Sequence, residues 1–252
     1  MISAIGFSTS DPLASWFSTE LALLKATVEA GAKRFAPSEY GIGVLAPPKI
    51  EALNGSVRIW EACEEAAAVG GLEWTRYECG LFMNYLGFGV PGDSPSGREL
   101  REEALGGREK DGEWMYYPST CRAELPVKVD GTFPRITLTA IEDVGKLVAK
   151  SLELSSWETT SYIVGETLRM DEVVRIAEKG MGKTWKVERL SVDELETRIA
   201  SENDTEKKLW AQLAQSYGRD VEGEGWFEGN LNRLFPDISL LTVEGYFNKY
   251  YS

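Results

Sequence analysis

Apolar and polar positions alternate between two periodicities along the first third of the chain. Residues 1–7, MISAIGF, are a short apolar run without polar alternation, which predicts a strand covered on both faces. Residues 18–31, STELALLKATVEAG, space their apolar positions at helical intervals, with Ser18 as the expected N-cap and Gly31 as the stop. KRFAP (33–37) predicts a second strand. PPKIEALNGSVRIWEACEEAAAVGG (47–71) predicts a second helix closed by Gly70 and Gly71, and LEWTRYEC (72–79) a third strand. Strands separated by helices of this length predict parallel βαβ units with right-handed crossovers.

Residues 88–135 change character. They are rich in glycine, proline and charge, and SGRELREEALGGREKDGE (96–113) reads as a solvated helix or loop. EWMYYP and AELPVKV are short extended pieces. The alternation returns with RITLTAIEDVGKLVAKSLEL (strand, helix), TTSYIVG (strand) and MDEVVRIAEKGMGKTWKVERLS (helix, glycine turn, strand). Beyond residue 191 the pattern is helical, with aromatics packing between Asp237 and Tyr251. The expected class is α/β: a partial Rossmann-type parallel sheet from residues 1–90 and 135–165, with a smaller α+β substrate lobe from 91–134 and 166–252.

Composition narrows the chemistry. The 252 residues carry 40 acids against 27 bases, a formal net charge of -13 that repels phosphate backbones and anionic membranes. No direct nucleic-acid or membrane partner is therefore expected. Cys63, Cys79 and Cys121 form no CxxC pair and read as reduced thiols of a soluble cytosolic protein. The sequence contains no histidine, which removes histidine triads, histidine metal ligands and imidazole shuttles together. Proton transfer is left to Tyr, Lys, Asp, Glu, Ser or water, and no metal is expected.

In a parallel sheet, functional groups collect at the carboxyl ends of the strands. Gly6-Phe7-Ser8, Pro37-Ser38-Glu39-Tyr40 and Gly80-Leu81-Phe82 fall there and are expected to converge on one crevice. The structural counter-reading has Ser38 capping a turn, Glu39 exposed and Tyr40 in the core. No YxxxK pair exists, because Val44 stands four residues after Tyr40.

ISAIG, then EAGAKRFAPSEYG, then Val57-Arg58 inside a helix, then GLEWTRYECGLFMNYL, together resemble the NmrA-like and isoflavone-reductase-like group of atypical short-chain dehydrogenases. IEDVGKLVAKSLEL and SYIVGETLRMDEVVRIAEKGMGK follow in the group's order, so the resemblance covers roughly residues 1–200, with a fungal texture. It implies NADP(H) binding and reduction of a small aromatic or apolar metabolite. By position it implies Gly6 and Phe7 along the cofactor, Pro37, Ser38 and Glu39 beside the nicotinamide, and Phe82, Asn84 and Tyr85 facing the substrate. Tyr40 and Ser38 become the catalytic candidates.

Two departures qualify that implication. Aligned on these segments, the chain is expected to begin at the group's fourth strand, short of the glycine-rich phosphate turn and of some two βα units, about 60 residues. Catalytic members also carry a lysine four residues before the arginine of the VR pair, and Asn54 stands there. An amide cannot act as a cationic acid. Lys49, five residues earlier, reads as a solvated lysine at a helix start. Trp114, Tyr116 and Tyr117 are candidates for a lid, and Asp143 and Gly145 for a structural turn. The expectation is an NAD(P)H-linked reductase by resemblance with a degraded cofactor site. Two further readings stay open: a cofactor-independent isomerase or cyclase, and a non-catalytic regulatory binding protein. A sheet starting at its middle strand also predicts self-association through the Met1–Phe7 edge.

Overall fold

The computed structural model describes residues 1–6, 13–110 and 112–251, the side chains of 13–15 excepted. In chain order the elements are α1 (Leu13–Glu29), β1 (Arg34–Phe35), α2 (Asn54–Gly70), β2 (Glu73–Trp74), β3 (Arg76–Glu78), β4 (Leu81–Phe82), α3 (Pro95–Leu105), β5 (Tyr116–Tyr117), β6 (Arg122–Pro126) and β7 (Arg135–Thr139). Then come α4 (Ile141–Ser151), β8 (Thr160–Tyr162), β9 (Glu166–Arg169), α5 (Met170–Met181), β10 (Lys186–Leu190), α6 (Val192–Ser201), α7 (Thr205–Gly218), α8 (Asn230–Leu234) and α9 (Val243–Tyr250). Short 3-10 turns occupy Pro47–Lys49, Glu51–Leu53 and Met83–Gly89.

Four co-directional segments lie side by side. Ile2 bridges Ala36, with Ser3 N donating to Ala36 O at 2.8 Å; β1 pairs with β2; and β3 pairs with β8, all in parallel. β4 continues the third segment and pairs in parallel with β7, which pairs antiparallel with β9. The bend between β3 and β4 falls at Gly80, whose φ of +73° suits a residue without Cβ and whose missing Cβ leaves room for the Thr137 backbone. A separate sheet, β10-β6-β5, is covered by the α6–α7 hairpin. This is an α/β protein built on a Rossmann-like parallel sheet.

The first helix begins earlier than its capping signal suggested: Ser18 sits inside α1, five residues after its start, while Gly31 (φ +68°) does end it. The second helix is preceded by two 3-10 turns and closes at Gly71 in the left-handed conformation. Within the charged stretch, Pro95–Leu105 form α3, N-capped by Ser94 and anchored by buried Ala104 and Leu105. One apolar cluster packs α1 and α2 onto the sheet through Trp16, Leu24, Phe35, Ile59, Trp60, Cys63 and Trp74. A larger one joins β4, β6 and β7 to α5, α7 and α9. Among the described residues no helix is long and apolar enough to cross a membrane.

Candidate functional site

The carboxyl ends of the first three segments do converge, and their polar groups bond to one another. Ser38 Oγ donates to Ile5 O at 2.8 Å, and Tyr40 Oη donates to Ser3 O at 3.2 Å. Gly6, expected along a cofactor, lies at this end, and no atom of the described residues comes within 4 Å of where its Cβ would stand; Phe7 lies outside the described residues. Pro37 is buried. Tyr40 adopts φ +39° and stacks on Tyr77 at 6.1 Å. Burial, reinforced by Tyr77 and Cys79, pushes its phenol up to about 12. A phenol held that high, with its proton on a backbone carbonyl, is a weak acid at neutral pH.

Three buried carboxyl groups surround these strand ends. Glu20, from α1, accepts Ser3 Oγ at 2.6 Å on Oε1, and its Oε2 has no aligned partner among the described residues; burial raises its pKa, and Ser3 and the Ser38 N–H pull it partly back. Glu39 is half-buried as a residue, yet its Oε1 is sealed from solvent without a hydrogen bond. Burial and the neighbouring Glu78 push Glu39 up to about 8. Ser56 and the Trp60 indole lie close enough to pull it partly back, although neither makes an aligned bond to Oε1 and Trp60 Nε1 has no acceptor. Glu78, at the end of β3, is 1% exposed and pushed up to about 7 by burial. Its Oε2 accepts Gly43 N at 2.8 Å and its Oε1 has no partner. Arg76 is the cation that acts on both acids, and it also donates to Thr160 Oγ1 and lies over the Trp60 ring at 4.2 Å.

The glycines after β1 belong to this arrangement. A Cβ on Gly41 would stand 2.7 Å from Glu78 Oε2, so Gly41 leaves the space that the carboxylate fills. The turn 41–43 thus presents its amide to an anion, and that anion is a side chain of the protein.

Several expectations are corrected. Asn54, at the position of the resembled lysine, is exposed at the first residue of α2 rather than turned into the strand ends. Lys49 is not merely solvated: its ammonium donates to Glu224 Oε2 at 2.5 Å, and Glu224 is fully buried. Ser216 Oγ and Arg219 Nε complete that carboxylate at 2.8 and 2.6 Å, tying the 43–50 segment to the end of α7. Asn84, expected to face a substrate, is buried with both ends of its amide engaged: Nδ2 donates to Ala104 O at 2.8 Å and Oδ1 accepts Ile141 N at 2.9 Å. Tyr85 Oη accepts from Arg108 at 2.9 Å, and the Arg108 guanidinium lies over both the Tyr85 and Phe82 rings. Phe82 is half-buried. Tyr116 is no lid, being fully buried with its hydroxyl on Met170 O. Asp143, by contrast, is buried and structural as expected, accepting Lys146 and the Leu241 N–H.

Sequence reasoning missed Glu20, Glu78 and Arg76. Glu78 sits in a strand beside a cysteine, where a period-2 reading assigns no special role. Its burial depends on Gly41 and Gly43, which approach from 35 residues away. Among the described residues no group of three or more His, Cys, Asp or Glu is placed to hold a metal ion.

The fold is that of NAD(P)-binding, Rossmann-like reductases. A leucoanthocyanidin reductase from Vitis vinifera, solved as a ternary complex, superposes with a TM-score of 0.68 over 99% of this chain and 77% of that one, at 20% identity. A crystal structure of isoflavone reductase gives 0.68 over 99% and 74%, at 19% identity. AtPrR2 bound to NADP+ and (+)pinoresinol gives 0.68 over 99% and 74%, at 20% identity. In sequence the chain is similar to the oxidoreductase BOA1 of Botryotinia fuckeliana (strain B05.10), 27% identical over 219 residues. That match covers 82% of this chain and 63% of that protein, so the chain spans less than two thirds of the relative's length. No protein-family profile matches the chain.

Among the described residues, two polar groups at these strand ends are already engaged within the protein. Glu78 takes the amide of the 41–43 turn, and Ile5 O takes the Ser38 hydroxyl.

Proposed function

We propose that this chain is a reductase-type protein of the isoflavone-reductase-like group, NAD(P)H-linked by descent, that takes a small aromatic or apolar metabolite at its strand ends. The observation that carries this reading is the convergence of Gly6, Ser38–Tyr40 and Glu78 at the carboxyl ends of co-directional strands, in a fold shared with reductases crystallised with NADP(H). The test is direct. A ligand at 100 times its dissociation constant stabilises a fold by roughly 2.7 kcal/mol. NADPH is expected to raise the melting temperature and to be consumed in the presence of an aromatic carbonyl or benzylic ether. A flat melting curve to millimolar NADPH would refute the NADPH-linked reading.

One observation favours a second reading, a cofactor-independent isomerase or cyclase. Glu39 and Glu78 hold one sealed, unpartnered oxygen each and are pushed up to about 8 and 7, so a proton resides on the pair at neutral pH. A carboxyl held neutral in an apolar site is a ready general acid. Under this reading Glu39→Gln abolishes turnover while NADPH has no effect.

A further inference from the structure

We propose that the smaller lobe carries a second ligand site, distinct from the strand ends, for a planar, uncharged aromatic molecule bearing a hydroxyl group. A cavity of about 470 Å³ lies between the β10-β6-β5 sheet and the α6–α7 hairpin. None of the residues at 37–41, 78 or 82–85 lines it. Its volume falls within the range of pockets that enclose small organic ligands.

The wall chemistry selects a flat ring. Trp114 and Trp210 both line the cavity and stack on each other at 4.6 Å with planes 29° apart. Tyr217 also packs against Trp114, at 6.0 Å between ring centroids and tilted by 49°, so the Trp114 ring is held by two neighbours. Leu190, Leu195 and Ala214 supply an apolar floor. Rings fixed in advance lose little freedom on binding, and aromatic pairs gain beyond the area they bury.

The rim selects a neutral ligand with a hydroxyl. Glu124 is already balanced by Arg122 and Arg198, and Glu113 accepts the Ser119 N–H and hydroxyl. Glu202 takes the Asp204 N–H on Oε1, which leaves Oε2 as an acceptor. Lys207, on the same rim, meets no acceptor with its ammonium among the described residues. One donor and one acceptor at the mouth match a hydroxyl group, which accepts and donates at once. An anionic ligand would instead add charge beside Glu113, Glu124 and Glu202 on the same rim.

The experiment is calorimetric titration with 2-naphthol, using 2-naphthoate as the anionic control. A dissociation constant of roughly 0.1 mM is expected for a ligand of this size, with 2-naphthoate at least about fivefold weaker. Ala211→Leu, which fills the cavity, should abolish binding, and Trp210→Leu, which removes a wall, should weaken it about tenfold. Lys207→Met should weaken 2-naphthol about threefold. Glu39→Gln should leave the affinity for 2-naphthol unaltered, which separates this site from the strand ends. Absence of 2-naphthol binding, equal or tighter binding of 2-naphthoate, retention of affinity in both cavity variants, or its loss in Glu39→Gln would each overturn the proposal.

Discussion

Raising the pH from 5 to 9 should destabilise this protein, and Glu39→Gln should remove most of the effect. In the unfolded chain Glu39 titrates near its ordinary value of 4.5, whereas in the fold burial and Glu78 push it up to about 8. Between those values the native state holds a proton that the unfolded state has released. Stability is therefore fully present below 4.5 and falls as pH rises toward 8. At about 1.4 kcal/mol per pH unit, the 3.5-unit window for Glu39 corresponds to roughly 5 kcal/mol. Glu78, pushed up to about 7, adds a 2.5-unit window of about 3 kcal/mol. Their mutual repulsion is shared between the two figures, and water entry reduces both, so a total of about 4 kcal/mol is expected. That is a fall in melting temperature of about 10 °C for a chain of this length. The assay is urea unfolding at half-unit pH intervals, for wild type and Glu39→Gln. The net charge of -13 gives both proteins a common slope, so the difference between the curves is the readout. The variant should match wild type within about 1 kcal/mol at pH 5 and exceed it by about 2 to 3 kcal/mol at pH 9. Parallel curves, or a wild type that gains stability with rising pH, would refute the buried-proton account.

Two other perturbations follow from the same contacts. Glu224→Ala leaves the half-exposed Lys49 and Arg219 without their shared carboxylate and should cost about 1 to 3 kcal/mol, read as a lower urea midpoint. Because Glu224 is held below its usual range by Arg219, Lys49 and Ser216 despite burial, its stabilisation should fade in wild type as pH falls below 4.5. Asn84→Ala strips the partner from Ile141 N and one donor from Ala104 O, which also accepts Tyr246 Oη at 2.8 Å. A loss of about 2 to 3 kcal/mol is expected, with no change in the pH dependence assigned to Glu39.

The amino-acid sequence by itself determined the alternation of strands and helices, because the switch between period 2 and period 3.6 is local and survives any packing. It placed Ser38–Tyr40 at a strand end and closed α2 with a glycine, since proline and glycine act through their own φ. Their partners were beyond its reach. Whether Glu39 is exposed or sealed depends on Glu78 of β3 and on Ser56 and Trp60 of α2, which arrive from two other segments. The same holds for Asn84, whose place after a strand looked like a ligand contact until α3 and α4 took both ends of its amide. Lys49 and Glu224 are 175 residues apart, and nothing near either residue names the other. Charge, hydrogen bonding and burial are decided by which segments meet, and only the assembled sheet and its helices bring these together.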